Sequence, residues 1–463
     1  MGNYDYDLVV IGAGPGGYVG AIRASQLGMK VAVVEKDKPG GVCLNVGCIP
    51  SKALIHQAQI FSESKSLEKM GVKIDRSGFD YSKVFKKSRV TAQKLSKGVQ
   101  FLLKKNGVEY IPGEAKITGE HEITVNGDKK ISCKFLLVAT GSRPREIPGF
   151  EFDEEKVLSS TGALMQEKLP ERVLILGSGA IGVEFSHIMN SFGTEVHLVE
   201  MLDRILPLED SQITEIVHNS FKKRGIKIYA STKAMGYKAT ETGLEVSVES
   251  STGETSTIEV DKILVAVGRT INTDNLGLEE IGVNLERNFI KVGDYYKTDV
   301  DWIFAAGDVI ASPLLAHVAS KEAEIAVEHM AGHETDAKID MNAIPGATYS
   351  EPQVASFGYT EDRAKKEGIA HSTAAFPYRG AGKAVAIESI EGMVKIVFDP
   401  DSHEILGAHI VGTDATEMIH EILLAKKQGI KPQEIATMIH AHPTLSETVM
   451  EAMRVVENWA IHI

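Results

Sequence analysis

The sequence predicts an α/β protein built from two Rossmann-like domains and a C-terminal α+β domain. Three observations carry this. One glycine-rich strand–turn–helix pattern occurs twice in the 463 residues. Each copy is followed by a second apolar strand that ends in an acid. After Ile344-Pro345-Gly346 the pattern changes to alternating apolar stretches and then to helices.

The first copy is Asp7 to Gly17, DLVVIGAGPGG, followed by a helical stretch of small residues and then Val31 to Glu35. Gly12, Gly14 and Gly17 stand in the G-x-G-x-x-G spacing of a dinucleotide site. The first glycine makes the tight turn, the second lets the backbone approach a pyrophosphate, and the third lets helix and strand pack closely. The helix N-terminus adds free N–H groups and a positive dipole end. Glu35 ends the next strand, where a carboxylate accepts from a ribose hydroxyl.

The second copy is Arg172 to Glu200. Gly12, Gly14, Gly17, Gly28 and Glu35 recur 165 positions later as Gly177, Gly179, Gly182, Gly193 and Glu200. Two copies with the register kept through the acid imply two dinucleotides, read as FAD and a nicotinamide cofactor. Glu200 favours NAD over NADP, because a carboxylate repels a 2′-phosphate. Met201 and Leu202 follow it, and the nearest arginine is Arg204. Strands ending in glycine, Phe135 to Gly141 and Ile263 to Gly268, return the chain to each sheet. Ile303 to Asp308, IFAAGD, puts Asp308 where it can reach a flavin's ribityl chain or, alternatively, cap a helix.

At 43% apolar the chain buries large cores, enough for two to four domains. A formal net charge of −13 argues against nucleic acid or an anionic membrane as the main partner. No apolar run approaches the roughly 18 residues of a membrane span. No secretory signal pattern precedes the strand at Leu8 to Ile11. Met1-Gly2-Asn3 opens like a myristoylation site, but Tyr6 stands where Ser or Thr is required. Three cysteines are too few for a disulfide framework, which points to a reducing compartment. The expectation is the cytoplasm, or an organelle matrix after loss of a targeting segment.

Two of the three cysteines lie in GVCLNVGCIPSK, residues 41–52. On a regular helix, positions i and i+5 point about 140° apart, so Cys43 and Cys48 need a bend between them to meet. Asn45 and Gly47 tolerate one. Pro50 suits a first helical turn and puts Cys48 near a helix N-terminus, which stabilises a thiolate. Cys43 is expected on a looser segment within a substrate's reach. Inert packed thiols and half a metal site are the competing readings. A zinc site would need two more ligands, and no metal is expected.

These motifs, in this order, and a C-terminal His442-Pro443-Thr444-Leu445-Ser446-Glu447, make the chain similar to the pyridine nucleotide–disulfide oxidoreductases, class I, and within them to the dihydrolipoamide dehydrogenases. The resemblance covers essentially the whole chain. It implies that Cys43 is the interchange thiol and Cys48 the thiol facing the flavin. Lys52 becomes a cation near the flavin, with Glu184 as its partner. His442 becomes the base and Glu447 the group that orients it. Further FAD contacts implied are Ala115, Thr140, Gly141, Ser142, Asp308, Leu315, Ala316 and His317. On the NAD side the implied set is Gly177, Gly179, Ala180, Ile181, Gly182, Glu184, Glu200, Ala234 and Gly268. The family supplies its histidine from a second subunit, so a homodimer with shared active sites is expected.

The implied activity is oxidation of protein-bound dihydrolipoamide by NAD⁺, with lipoyl domains of acyltransferases or of a glycine-cleavage carrier as partners. Alternatives are a glutathione- or mercuric-type reductase, or a non-catalytic subunit of a multienzyme complex. The second fingerprint lacks arginines where an NADPH enzyme needs them, and the C-terminus has no cysteine pair.

The expected domains are residues 1–145 (FAD and the cysteine pair), 146–270 (NAD), 271–343 (completing the FAD domain) and 344–463 (dimerisation). Asp80 to Lys105 reads as a solvated helix, not a basic binding patch. Thr413 to Glu421 reads as a capped amphipathic helix. Cys133, Trp302 and Trp459 read as packed residues, and His440 as an ordinary polar one.

Overall fold

The computed structural model describes residues 4–463, so Met1-Gly2-Asn3 lies outside it. Strand β1 (Tyr6–Ile11), helix α1 (Pro15–Gln26) and strand β2 (Val31–Glu35) form the first βαβ unit. β1 and β2 are parallel, with Leu8 opposite Val31. Leu8, Val9 and Val10 are fully buried, as a strand covered on both faces requires. The sheet has seven strands. Its parallel part orders Glu109–Pro112, β2, β1, Lys129–Val138 and Ile303–Ala305. An antiparallel extension carries Glu122–Val125 and Ala115–Gly119.

Glycine is required at the first turn. A Cβ on Gly12 (φ +100°) would meet the Ala139 carbonyl oxygen at 2.4 Å, and one on Gly17 would lie 1.9 Å from the Gly12 oxygen. α1 also lies close against the helix Ala316–Met330, where a Cβ on Gly20 would touch the Ala323 Cβ at 3.0 Å.

The second sheet is all parallel, in the order Lys227–Tyr229, Glu195–Val199, Arg172–Leu176, Lys262–Val265, Val157–Leu158. A three-stranded antiparallel sheet, Thr232–Ala239 to Thr255–Val260, flanks it. The C-terminal part is a five-stranded antiparallel sheet, in the order Gly346–Thr348, Gln353–Gly358, Ile405–Gly412, Met393–Phe398, Ser372–Pro377. The helices Ala415–Lys427 and Glu447–Val456 pack on it. The predicted fold class therefore holds.

One local expectation fails. Asp414 stands at the N-cap of Ala415–Lys427 at φ +59° and makes no side-chain cap bond. A capping residue ordinarily has an extended backbone, and Asp414 does not.

Helix α2 (Gly41–Val46) and helix α3 (Cys48–Glu63) hold the two neighbouring cysteines and meet at Gly47. Its backbone (φ −147°, ψ −118°) breaks the helical path, and a Cβ there would lie 2.9 Å from the Val42 oxygen.

Candidate active site

Two cradles of the same construction flank the site. α1 begins at Gly14 and the helix Ala180–Ser191 at Gly179, neither with a side-chain cap nor an acid in the first turn. Both helix starts therefore offer uncapped N–H groups to an anion. A Cβ on Gly179 would meet nothing within 4 Å, and one on Gly14 only the Gly41 Cα at 4.0 Å, so both backbones can be approached closely. The acids are pinned alike. Glu35 accepts from the Ala13 N–H (2.7 Å) and the Asp37 N–H (2.8 Å). Glu200 accepts from the Ser178 N–H (2.9 Å), the Ser178 hydroxyl (2.8 Å) and the Leu202 N–H (2.9 Å).

A cavity of about 330 Å³ opens beside the first cradle, lined by Gly12, Glu35, Ala115, Thr140, Asn272 and Leu276 among others. With an anion-binding helix start at one end and a carboxylate inside, these residues fit an adenine dinucleotide. At the second cradle Arg204 is committed elsewhere, donating to Asp362 at 3.0 Å. Arg204 is thereby drawn away from the role of gripping a 2′-phosphate. Gly268 (φ +121°) follows the strand Lys262–Val265, and Ala234 lies half-buried in Thr232–Ala239.

Cys48 is the first residue of α3, as the position of Pro50 implies, and is crowded by its neighbours on one side while open to solvent on the other. Cys43 is half-buried inside α2, not on a loose segment. Gly40 and Gly41, at φ +93° and +57°, turn the chain into α2, and the Asn45 amide ties it to the Pro39 and Gly41 carbonyls (3.1 and 2.9 Å). Both cysteines are thiols, close enough that Cys43 donates to the Cys48 sulfur. That bond and the Lys52 cation draw Cys48 down to about 7, against burial and the Glu184 carboxylate. The same bond holds the Cys43 proton, so Cys43 is pushed up, with burial adding to it.

Lys52 lies one turn beyond Cys48. Its Nζ donates to both Glu184 oxygens (2.8 and 2.9 Å) and stands 4.5 Å from the Tyr349 ring centre. The Tyr349 N–H also donates to Glu184 (3.1 Å). Lys52→Met is expected to raise the Cys48 pKa by on the order of one unit, read from the pH dependence of iodoacetamide alkylation. Lys52→Met/Glu184→Gln should return part of the shift, since it also removes the carboxylate. An unmoved profile in both would leave the Cys43 bond as the sole cause.

Asp308 lies in a turn after Ile303–Ala305, so it is not a helix cap. It accepts from the Ser142 hydroxyl. Arg269 completes the cluster, with Nε 2.6 Å from Ser142 Oγ and 3.7 Å from Asp308, and Nη2 2.8 Å from the Ser142 carbonyl. Burial lowers the Arg269 pKa, while Asp308 and Cys48 oppose it. Arg269 was not foreseen, nor was Glu322, which accepts from the Gly307 N–H (2.7 Å) and is pushed up to about 7 by burial. Gly141 (φ +71°) adjoins this cluster in sequence, and Thr140 donates to the Asn272 carbonyl (2.6 Å). Leu315, Ala316 and His317 begin the helix Ala316–Met330, with His317 Nε2 2.8 Å from the Pro345 oxygen. Ala180 and Ile181 open the second cradle's helix.

His442 Nδ1 lies 3.0 Å from Glu447, whose other oxygen accepts from the Thr444 N–H (2.8 Å). Burial works against ionising Glu447, but Thr444 and His442 hold it below the usual carboxylate range. The His442 side chain is 76% exposed, whereas that of His440 is only 4% exposed and paired with Glu421. Cys133 is buried and pushed up to about 12 by desolvation. No cluster of three or more metal-ligating side chains occurs among the described residues.

Comparison with known proteins agrees with this geometry. Residues 6–323 match the pyridine nucleotide-disulphide oxidoreductase family, and residues 344–453 match that family's dimerisation domain. Dihydrolipoyl dehydrogenase of Geobacillus stearothermophilus is 43% identical over 461 residues, covering 99% of this chain and 97% of that protein. Dihydrolipoyl dehydrogenase of Bacillus subtilis is 42% identical, with coverage of 99% and 97%. Among solved structures, LpdA from Mycobacterium tuberculosis superposes with a TM-score of 0.89 at 27% identity, covering 96% of this chain and 99% of that one. The HOCl-induced flavoprotein disulfide reductase RclA from Escherichia coli gives a TM-score of 0.87 at 25% identity, with 98% and 100% covered. With two matched dinucleotide cradles, a pair of adjoining thiols between them and family matches along most of its length, this chain belongs to the pyridine nucleotide-disulphide oxidoreductases.

Proposed function

We propose that the protein is a dihydrolipoyl dehydrogenase, which oxidises protein-bound dihydrolipoamide to lipoamide with NAD⁺ as acceptor. It would serve as a shared component of 2-oxoacid dehydrogenase or glycine-cleavage complexes. The observation that carries this is the pair of adjoining thiols, Cys43 inside α2 and Cys48 at the start of α3, with the Lys52–Glu184 ion pair one turn beyond. When bound, FAD would supply a two-electron acceptor for the thiols, and NAD⁺ the terminal hydride acceptor.

The chain's own residues account for the thiol chemistry. In the oxidised pair, a substrate thiolate attacks Cys43 Sγ and Cys48 leaves as thiolate. The better leaving group is the thiol of lower pKa, and that is Cys48. The second substrate sulfur then attacks the mixed disulfide and expels Cys43, which closes the lipoyl disulfide and leaves both cysteines reduced. His442 takes the two substrate protons in turn, releasing one to solvent and returning the other to the reduced thiol pair, which keeps it available for the hydride that NAD⁺ accepts, and Glu447 fixes its tautomer.

Lys52 holds positive charge beside the thiols, with Glu184 fixing its position. Gly12, Gly14 and Gly17 with Glu35, Ala115 and Thr140 would hold FAD, and Ser142, Asp308 and Arg269 its ribityl side. Gly177, Gly179, Gly182 and Glu200 would hold NAD.

The protein works as a homodimer. Ile439 is 96% exposed, and Met438, Leu424 and Ile461 on the same C-terminal part of the chain are exposed as well, apolar surface of the kind that marks an interface. No described helix is long and apolar enough to cross a membrane.

The test is lipoamide-dependent oxidation of NADH against NADPH. Turnover with NADH and at least about tenfold less kcat/KM with NADPH is expected, because Glu200 repels a 2′-phosphate. Preference for NADPH would overturn the cofactor assignment, and failure to turn over lipoamide with either would overturn the reaction.

A further inference from the structure

The 25-residue helix Tyr81–Lys105 carries seven lysines and one arginine but no acid, in a chain whose net charge is −13. Its two sides differ sharply. Tyr81, Phe85, Ser88, Ala92, Ser96, Val99 and Leu103 are buried at helical spacing. The opposite side is a stripe at spacings of four and three, namely Lys83, Lys87, Val90, Lys94, Lys97, Phe101 and Lys104, and every member is exposed. From Lys83 to Lys104 the stripe runs about 32 Å.

None of the seven lysines forms an ion pair among the described residues, although 28 such pairs occur elsewhere. Lys87 reaches only the Gln57 amide, and Asp80, the helix N-cap, is the acid near Lys83 and Lys86. Val90 and Phe101 are 64% and 65% exposed within the charged row. The buried side rests on the segment that carries the reactive thiols. Arg89 donates to the Asn45 carbonyl (2.9 Å), two residues from Cys43, and the Ser96 hydroxyl donates to the Pro39 carbonyl (2.8 Å).

The sequence reading of this helix as merely solvated, not a basic binding patch, does not account for an unpaired lysine row opposite a buried side, and we propose instead that this stripe is the docking surface for an acidic carrier domain that delivers the dithiol to Cys43. The inference rests on the dihydrolipoyl reading above. A carrier brings its dithiol on a tether, so the body of the carrier must rest near Cys43, and this helix is the basic surface joined to that segment. Unpaired cations attract an acidic partner, and two such lysine stripes set face to face across a two-fold axis would repel each other. The two apolar side chains add contact area suited to a folded protein. Complementary charge of this kind speeds association more than it tightens the final complex, and salt weakens it.

The experiment uses the FAD-loaded holoenzyme and three substrates: free dihydrolipoamide, a dihydrolipoyl-lysine peptide flanked by glutamates, and the same peptide flanked by glutamines. The glutamate peptide should give a kcat/KM about tenfold above the glutamine peptide at low ionic strength, falling to parity as salt rises. Lys94→Glu/Lys97→Glu/Lys104→Glu should abolish that preference and leave free dihydrolipoamide turnover within about twofold of the parent. Lys94→Gln/Lys97→Gln/Lys104→Gln should lie between.

Equal use of both peptides by the parent overturns the proposal. So does a parallel loss of free dihydrolipoamide turnover in both triple variants, which makes the helix merely structural. Dissociation of the dimer in the variants also overturns it, because the face would then belong to the second subunit. If the parent fails to oxidise free dihydrolipoamide at all, the reaction assignment falls instead. Fluorescence anisotropy of the labelled, oxidised peptides then still decides the docking.

Discussion

Cys43→Ser is expected to abolish turnover of dihydrolipoamide, by at least about three orders of magnitude, while FAD stays bound and NADH still reduces an artificial dye. The reason is covalent. A hydroxyl forms no disulfide, so the substrate sulfur has no S–S bond to attack. The serine hydroxyl can still donate to Cys48 as the Cys43 thiol does, so Cys48 should remain an acidic thiol. Cys43→Ala removes that donor, and its Cys48 should titrate higher. Alkylation of Cys48 against pH in the two variants therefore separates the covalent role of residue 43 from its electrostatic one. Lipoamide activity above a few per cent of the parent in Cys43→Ser would overturn the interchange role.

What the sequence discloses and what it hides follow from how local each requirement is. The glycine fingerprints are legible because their constraints close within one βαβ unit. The Cβ that Gly17 cannot carry would strike the Gly12 oxygen five residues earlier, and Gly182 meets Gly177 in the same way. Cys48 at a helix start is legible for the same reason, since Pro50 marks the first turn. Arg269 is not legible, because its meaning lies in Ser142 and Asp308, brought to it by the pairing of Arg269–Ile271 with Ser142–Pro144. That Arg204 is committed elsewhere is not legible either, because its partner Asp362 lies 158 residues away. Cys43 lies inside α2 and not on the looser segment expected, because the Asn45 amide closes α2 onto two carbonyls, and side-chain bonds of that kind leave no periodic trace. Lys52 with Glu184 came from resemblance alone, and their 2.8 Å contact spans two domains.

His442→Gln is expected to slow dihydrolipoamide oxidation by roughly 10²–10⁴-fold, with a far smaller effect on dye reduction, because only the thiol step needs a base. Equal losses in the two assays would make His442 structural. Where the base acts is a separate question, and exposure bears on it. A ring 76% exposed, whose protein hydrogen bond is to Glu447, sits on the C-terminal domain, while Cys43 is on α2 of the first. If the sites are shared across a two-fold axis, Cys43 of one subunit works with the histidine of the other. Co-expressing Cys43→Ser with His442→Gln then yields hybrid dimers holding one intact site, from the Cys43 of one chain and the His442 of the other. Random pairing makes half the dimers hybrid, so about a quarter of the parent activity should return from two nearly inactive proteins. If base and thiol belonged to the same subunit, every site in every dimer would lack one of them and mixing would restore nothing. A pool that stays inactive while forming hybrid dimers by mass spectrometry would exclude the shared site.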